Sequence, residues 1–124
     1  MRPLILVVED AEECCAGLEV ALQGLDGFEV SLARSAEEAM RTLESGRVGA
    51  LVTDLHLPVM DGFELVERVR RDRRFDSLPI VVTSGDSDPE TPARVLRLGA
   101  DCFFAKPYSL NALRFKLEEL LHVP

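Results

Sequence analysis

The sequence predicts a doubly wound α/β domain, a parallel five-stranded sheet with helices on both faces. Three observations carry this. Short strand-like runs recur five times in 124 residues, most of them apolar without polar alternation, as strands buried on both faces are. Between the runs lie stretches whose leucines fall at helical spacing. The connections are short and free of repeats, so strands and helices alternate strictly, which implies right-handed crossovers.

Leu4–Val8 reads as the first strand and ends in Glu9 and Asp10. Leu18, Leu22 and Leu25 share the face of a first helix, broken near its end by Gly24 and Gly27. Phe28–Leu32 alternates, as a strand with one wetter face does. Ser35 and Glu38 form a capping-box pattern ahead of Ala39, Met40 and Leu43, with Gly46 placed to end that helix. Ala50–Asp54 is the third strand, and its loop closes with Pro58, Asp61 and Gly62. Leu65, Val66 and Val69 form the next apolar helix face. The basic residues from Arg68 to Arg74 complement its C-terminal dipole as a solvated cluster.

Pro79 opens a fourth strand, Ile80–Thr83, followed by the polar loop Ser84-Gly85-Asp86-Ser87-Asp88-Pro89. Pro89 and Pro92 obscure the start of a short helix that ends at Gly99. Cys102–Ala105 is the fifth strand, followed by Lys106-Pro107. The last helix sets Leu110, Leu113, Leu117, Leu120 and Leu121 on one face. Five such units suit the flavodoxin-like strand order 2-1-3-4-5, whose ligand crevice lies between strands one and three.

Composition narrows the function classes. A length of 124 residues is one domain, residues 1–124, with 47% apolar and 29% charged residues. No apolar run approaches the ~18 residues of a membrane span. Met1-Arg2-Pro3 leads straight into a strand, so no signal peptide is expected. Cys14, Cys15 and Cys102 give neither metal spacing nor an even disulfide set, which favours a reducing, cytoplasmic setting. The net charge of -8 argues against a nucleic-acid surface.

Chemistry gathers at the strand ends. In the expected order, Glu9, Asp10 and Asp54 converge on one crevice, and strands four and five bring Ser84 and Lys106 to its rim. Taken alone, Asp54 is equally a helix or turn cap. Three carboxylates at ~5 Å with an effective dielectric near ~20 cost on the order of 3 kcal/mol per pair. A hard divalent cation, Mg2+ above all (or Mn2+), relieves this. A carboxylate beside Mg2+ and lysine can attack a phosphoryl group; a purely structural metal is the alternative.

With these elements in place, the chain resembles a response-regulator receiver domain, the CheY-like phospho-acceptor of two-component signalling. The match lies in Glu9-Asp10, in Asp54 with Pro58 and Gly62, in Ser84-Gly85 and in Lys106-Pro107, in the family's order. The resemblance implies that Asp54 accepts a phosphoryl group from a sensor histidine kinase or histidine phosphotransfer protein. It implies that Asp10, Asp54 and the His56 carbonyl ligate Mg2+, with Glu9 binding through water. Ser84 and Lys106 would hold phosphoryl oxygens, the Lys106–Pro107 peptide would be cis, and Ser84 and Phe103 would be the switch residues; plain core packing is the alternative for Phe103.

His56 and Asp86 face the site by this alignment, and pairing across its mouth would set the lifetime of the phosphoryl group. Output would run through the fourth helix, fifth strand and fifth helix to a downstream protein or output domain. Arg94, Arg97, Asp101, Arg114 and Glu118 would be available there for cross-pairs. Cys102 stands where a carboxylate often sits in dimerising relatives, which weakens a homodimer without excluding it. Only His122-Val123-Pro124 come after the last helix, so no DNA-binding domain is expected within this sequence, and a stand-alone receiver or one cut from a longer protein is expected, a signalling module rather than an enzyme. Competing readings are an aspartyl phosphohydrolase, disfavoured by His56 where a second Asp is expected; a flavin carrier, disfavoured by acids in its phosphate loop; and a degenerate receiver serving as a scaffold.

Overall fold

The computed structural model describes residues 2–122; Met1, Val123 and Pro124, on which the expectations about the termini partly rest, lie outside them. Ten regular elements alternate: β1 (Leu4–Val8), α1 (Glu12–Leu22), β2 (Glu29–Ala33), α2 (Ala36–Leu43), β3 (Val48–Asp54), α3 (Gly62–Arg71), β4 (Ile80–Ser84), α4 (Thr91–Leu98), β5 (Cys102–Ala105) and α5 (Leu110–Leu121). All strand pairs are parallel, in the order β2-β1-β3-β4-β5. The predicted fold class and strand order are therefore observed.

The two-residue period of the strands divides the core between two layers. Leu6, Val8, Leu51, Ile80 and Val82 pack toward α2, α3 and α4. Ile5, Val7, Val52 and Val81 pack toward α1 and α5. Each fully buried leucine or isoleucine contributes about 1.5–3 kcal/mol, which makes the sheet a rigid platform. Its register sets the site: Val8 pairs with Thr53, so Glu9 emerges beside Asp54.

Local chemistry fixes where α3 begins. The Asp61 side chain accepts the Glu64 N–H at 2.9 Å as an N-cap. The Gly62 N–H donates to the Leu55 carbonyl at 2.9 Å, drawing the helix start against the end of β3. A Cβ at Gly62 would run into the Asp54 carbonyl oxygen and the Leu55 Cα, so close approach demands glycine there.

Several expectations shift. α1 stops at Leu22, and Leu25 lies in the following turn yet stays buried. Gly24 is where Arg114 reaches across from α5 to donate to its carbonyl at 3.0 Å. β2 runs one residue later than expected, and β3 begins at Val48 rather than Ala50. Ser35 caps α2 as expected, but the Glu38 carboxylate accepts from the Arg34 N–H rather than that of Ser35, so the capping box is displaced by one residue. β4 takes in Ser84. A 3-10 turn, Arg73–Phe75, was not anticipated. On α5 only Leu113 and Leu117 are buried; Leu110, in the first turn, is exposed.

The basic cluster is largely solvated and paired: Arg68 with Glu64, Arg71 with Glu67, and Arg74 with Asp72 and Glu44. Arg70 is the exception. Its guanidinium donates to the carbonyls of Gly99 at 2.8 Å and Phe75 at 2.7 Å, and it meets Asp101 at 3.2 Å. No helix among the described residues is long and apolar enough to cross a membrane.

Candidate functional site

Glu9, Asp10 and Asp54 meet at the C-terminal edge of β1 and β3, with one carboxylate oxygen from each within 4.8 Å of the others. Glu9 and Asp54 are only 2% and 6% exposed, whereas Asp10 faces solvent. Lys106, just past β5, reaches into the crevice. Its Nζ donates to Glu9 Oε1 at 2.6 Å and to Asp54 Oδ2 at 3.1 Å. The other Asp54 oxygen, Oδ1, accepts the His56 N–H at 3.3 Å.

One ammonium thus serves the two buried carboxylates, and Asp10 joins the cluster from the solvent side. Burial pushes the Glu9 carboxyl above its ordinary value, and the neighbouring Asp54 adds to the rise against the opposing pull of Lys106. Burial works to lower the Lys106 pKa, but its bonds and charge interactions with Glu9 and Asp54 outweigh that and raise it, so the ammonium stays charged. Glu9 Oε2 is buried without a hydrogen-bond partner. An orphaned oxygen beside two more carboxylates is a hard donor set of the kind a divalent cation takes, so these residues fit Mg2+ or Mn2+.

Ser84, fully buried at the end of β4, accepts the Lys106 N–H on its carbonyl at 2.8 Å. Its Oγ accepts the Asp86 N–H at 2.9 Å. The Lys106–Pro107 peptide is cis. Phe103 is half-buried against the core layer of α2, α3 and α4.

The His56–Asp86 pair does not form. His56 is exposed, and both Asp86 carboxylate oxygens are bonded elsewhere: Oδ1 to the Asp88 N–H of its own loop at 2.8 Å and Oδ2 to the Thr91 hydroxyl at the start of α4 at 3.1 Å. These bonds hold the Asp86 carboxyl below its usual range, with a smaller contribution from the charge of His56. The acids and bases expected on the output face are also largely committed within the chain. Asp101 holds Arg70 and the Ile80 N–H, Arg114 binds Glu118 and the Gly24 carbonyl, and the Arg94 guanidinium lies 3.8 Å from the Phe63 ring centroid.

Sequence reasoning missed three residues. Thr91 was hidden because Pro89 and Pro92 obscured where α4 starts. Cys14, first read only for its redox setting, places its Sγ 3.9 Å from Lys106 Nζ. Tyr108, its phenol pushed up to about 12 by burial, lines a cavity of about 410 Å3 with Cys14, Lys106 and Leu110. Helical spacing from Cys14 to Gly17 was the available signal for that wall.

A family model described as the response regulator receiver domain matches residues 5–118. The chain belongs to the response-regulator receiver family. Among relatives, the transcriptional regulatory protein PrrA of Mycobacterium tuberculosis is 35% identical over 119 residues, covering 96% of this chain and 50% of PrrA. A chemotaxis protein CheY homolog of Campylobacter jejuni is 29% identical over 118 residues, covering 94% and 91% of the two chains. This receiver spans about half the length of the first relatives, those of the PrrA type.

Solved structures agree. A putative response regulator from Chloroflexus aurantiacus superposes with a TM-score of 0.89 at 30% identity, covering 98% and 99% of the two chains. The chemotaxis response regulator CheY4 of Vibrio cholerae gives 0.85 at 27%, covering 97% and 99%. The receiver is a signalling domain of two-component systems, and neither the phosphohydrolase nor the flavin reading is favoured.

Proposed function

We propose that Asp54 is the phospho-acceptor of this receiver, with residues 1–124 acting as one phosphorylation-controlled unit. The observation that supports it best is the 6%-exposed Asp54 carboxylate with Lys106 Nζ at 3.1 Å, beside Glu9 and Asp10. An Asp54 oxygen attacks the phosphorus of a phosphohistidine; the new P–O bond replaces the P–N bond, and the imidazole leaves. Lys106, held charged, stabilises phosphoryl oxygens by a charge-assisted bond. Ser84 is the candidate donor to another oxygen, and the His56 N–H orients Asp54 from the far side. Phe103 is the candidate aromatic that follows Ser84.

Asp10, Asp54 and the His56 carbonyl would hold Mg2+, with Glu9 in support, and the ion when bound supplies charge that neutralises the incoming phosphoryl oxygens. The phosphodonor is a sensor histidine kinase or a histidine phosphotransfer protein. The output is a downstream protein or output domain at the α4-β5-α5 face, where a weak homodimer would also form. The cysteines, all free, agree with a cytoplasmic setting.

Incubation with Mg2+ and acetyl phosphate, followed by intact mass, tests the reading. Phosphate uptake that disappears in Asp54→Ala is expected. No uptake by the wild-type protein, or equal uptake by the variant, overturns it.

A further inference from the structure

We propose that Asp86 is a positioning residue that ties the Ser84 hydroxyl to the first turn of α4, so that the two move together when Asp54 is modified. The inference rests on the reading that Ser84 donates to a phosphoryl group on Asp54.

An unbroken chain of bonds carries it. Ser84 Oγ accepts the Asp86 N–H at 2.9 Å, and Asp86 Oδ2 accepts the Thr91 hydroxyl at 3.1 Å. The loop between is braced by Asp88, whose side chain accepts the Glu90 N–H at 2.9 Å and whose carbonyl accepts the Thr91 N–H at 3.1 Å. Ser84 and Thr91 are 0% and 4% exposed, so neither hydroxyl has bulk water as a substitute partner.

The start of α4 depends on this link. Its N-cap, Glu90, makes no side-chain capping bond, and Pro92 has no N–H to offer. Asp86 instead holds the first helical turn through the Thr91 hydroxyl, which brings its negative charge to the helix start. Gly85 stands between Ser84 and Asp86 with open space where a Cβ would be. Left alone, so permissive a residue would absorb a shift of Ser84 within the loop. The Asp86 bonds bypass it. Farther along, Arg70 on the Gly99 carbonyl pins the end of α4 to α3, while Arg94 at the close of the first turn lies over the Phe63 ring. The first turn is thus the part of α4 placed to follow Ser84.

The relay is chemically compatible with phosphorylation. A serine hydroxyl has one proton and two lone pairs, so Ser84 can donate to a phosphoryl oxygen while still accepting from Asp86. The bond persists, and the loop follows.

Thr91→Val in the full chain removes the donor at nearly constant volume. Amide NMR shifts are recorded with Mg2+ before and after beryllofluoride, and phosphate uptake from acetyl phosphate is measured by mass on the same preparation. The expected result is uptake equal to wild type, with the beryllofluoride-induced shifts of Glu90, Ala93 and Arg94 reduced to about half or less. Asp86→Ala should reduce the same shifts, and Thr91→Ser, which restores the hydroxyl, should recover the wild-type shifts. Full-sized α4 shifts in both Thr91→Val and Asp86→Ala, or a Thr91→Ser variant that behaves like Thr91→Val, would overturn the relay alone. A wild-type protein that takes up no phosphate instead overturns the phospho-acceptor reading on which the relay stands.

Discussion

The two ends of the sheet use the same residue types under opposite rules. At the C-terminal end, Glu9 and Asp54 share the ammonium of Lys106 beside Asp10, and Glu9 keeps an oxygen with no partner. Beyond the other end, Arg74 meets Asp72 and Glu44 in solvent, one cation to two exposed or half-exposed carboxylates. Glu9 is driven up by burial, while Asp72 is drawn down by its bonds to Arg74.

Backbone strain also marks the crevice. Gly27, Gly46 and Gly99 take up positive φ where turns need it, but on the rim of the crevice Val59 sits at φ 67 with its β-branched side chain 98% exposed. The other end is free of neither strain nor orphaned polar groups, since Arg47 Nε is buried without a partner and His122 closes α5 at φ 56, but both carboxylates buried among the described residues, Glu9 and Asp54, lie at the crevice. A functional site is expected to break local rules of this kind.

The contrast can be broken most severely by removing the shared cation. Lys106→Ala leaves buried carboxylates uncompensated and should destabilise the protein by about 3 kcal/mol at neutral pH without divalent ions. Chemical denaturation should show this loss and its partial recovery on adding Mg2+; a variant as stable as wild type would show that the crevice does not need the lysine.

Next comes Glu9→Gln, expected to weaken Mg2+ binding by about 10–100-fold by titration. The same variant has a pH signature. Because the folded Glu9 pKa lies above its ordinary 4.5, its contribution to stability is complete below that pH and is lost as pH rises through the folded value. Glutamine suffers no such loss, so metal-free melting curves should show the variant gaining on wild type over that climb. Equal curves throughout would contradict the direction assigned to Glu9.

A smaller gain is expected from Val59→Gly. Relief of the left-handed valine should stabilise the fold by about 1 kcal/mol, somewhat offset by the greater freedom of glycine when unfolded. Smallest of all, Arg74→Ala at the solvated end should change stability by no more than about 0.5 kcal/mol. A loss as large as that of Lys106→Ala would erase the distinction between the two ends.

Much of the fold was legible because its signals are local. Apolar runs, the Ser35 cap and the terminal Gly99 depend on neighbouring residues alone. The alternation they produce leaves few parallel topologies, so the order β2-β1-β3-β4-β5 followed. The carboxylates could be gathered in advance because strand ends in such a sheet share one edge. The exposed Leu110 and the clasp of Arg70 were not legible, since both depend on which segment comes to lie alongside.

What the sequence determined by itself is therefore the sheet, its order and the set Glu9, Asp10, Asp54, Ser84 and Lys106 at one edge. What only the tertiary structure decided is how that set is wired. Lys106 bonds Glu9 as well as Asp54, and Asp86 bonds Thr91 rather than His56. The reason is physical. Strand register places backbones to within one residue, but a carboxylate chooses among the donors within about 3 Å, and only the packed loops determine which donors those are.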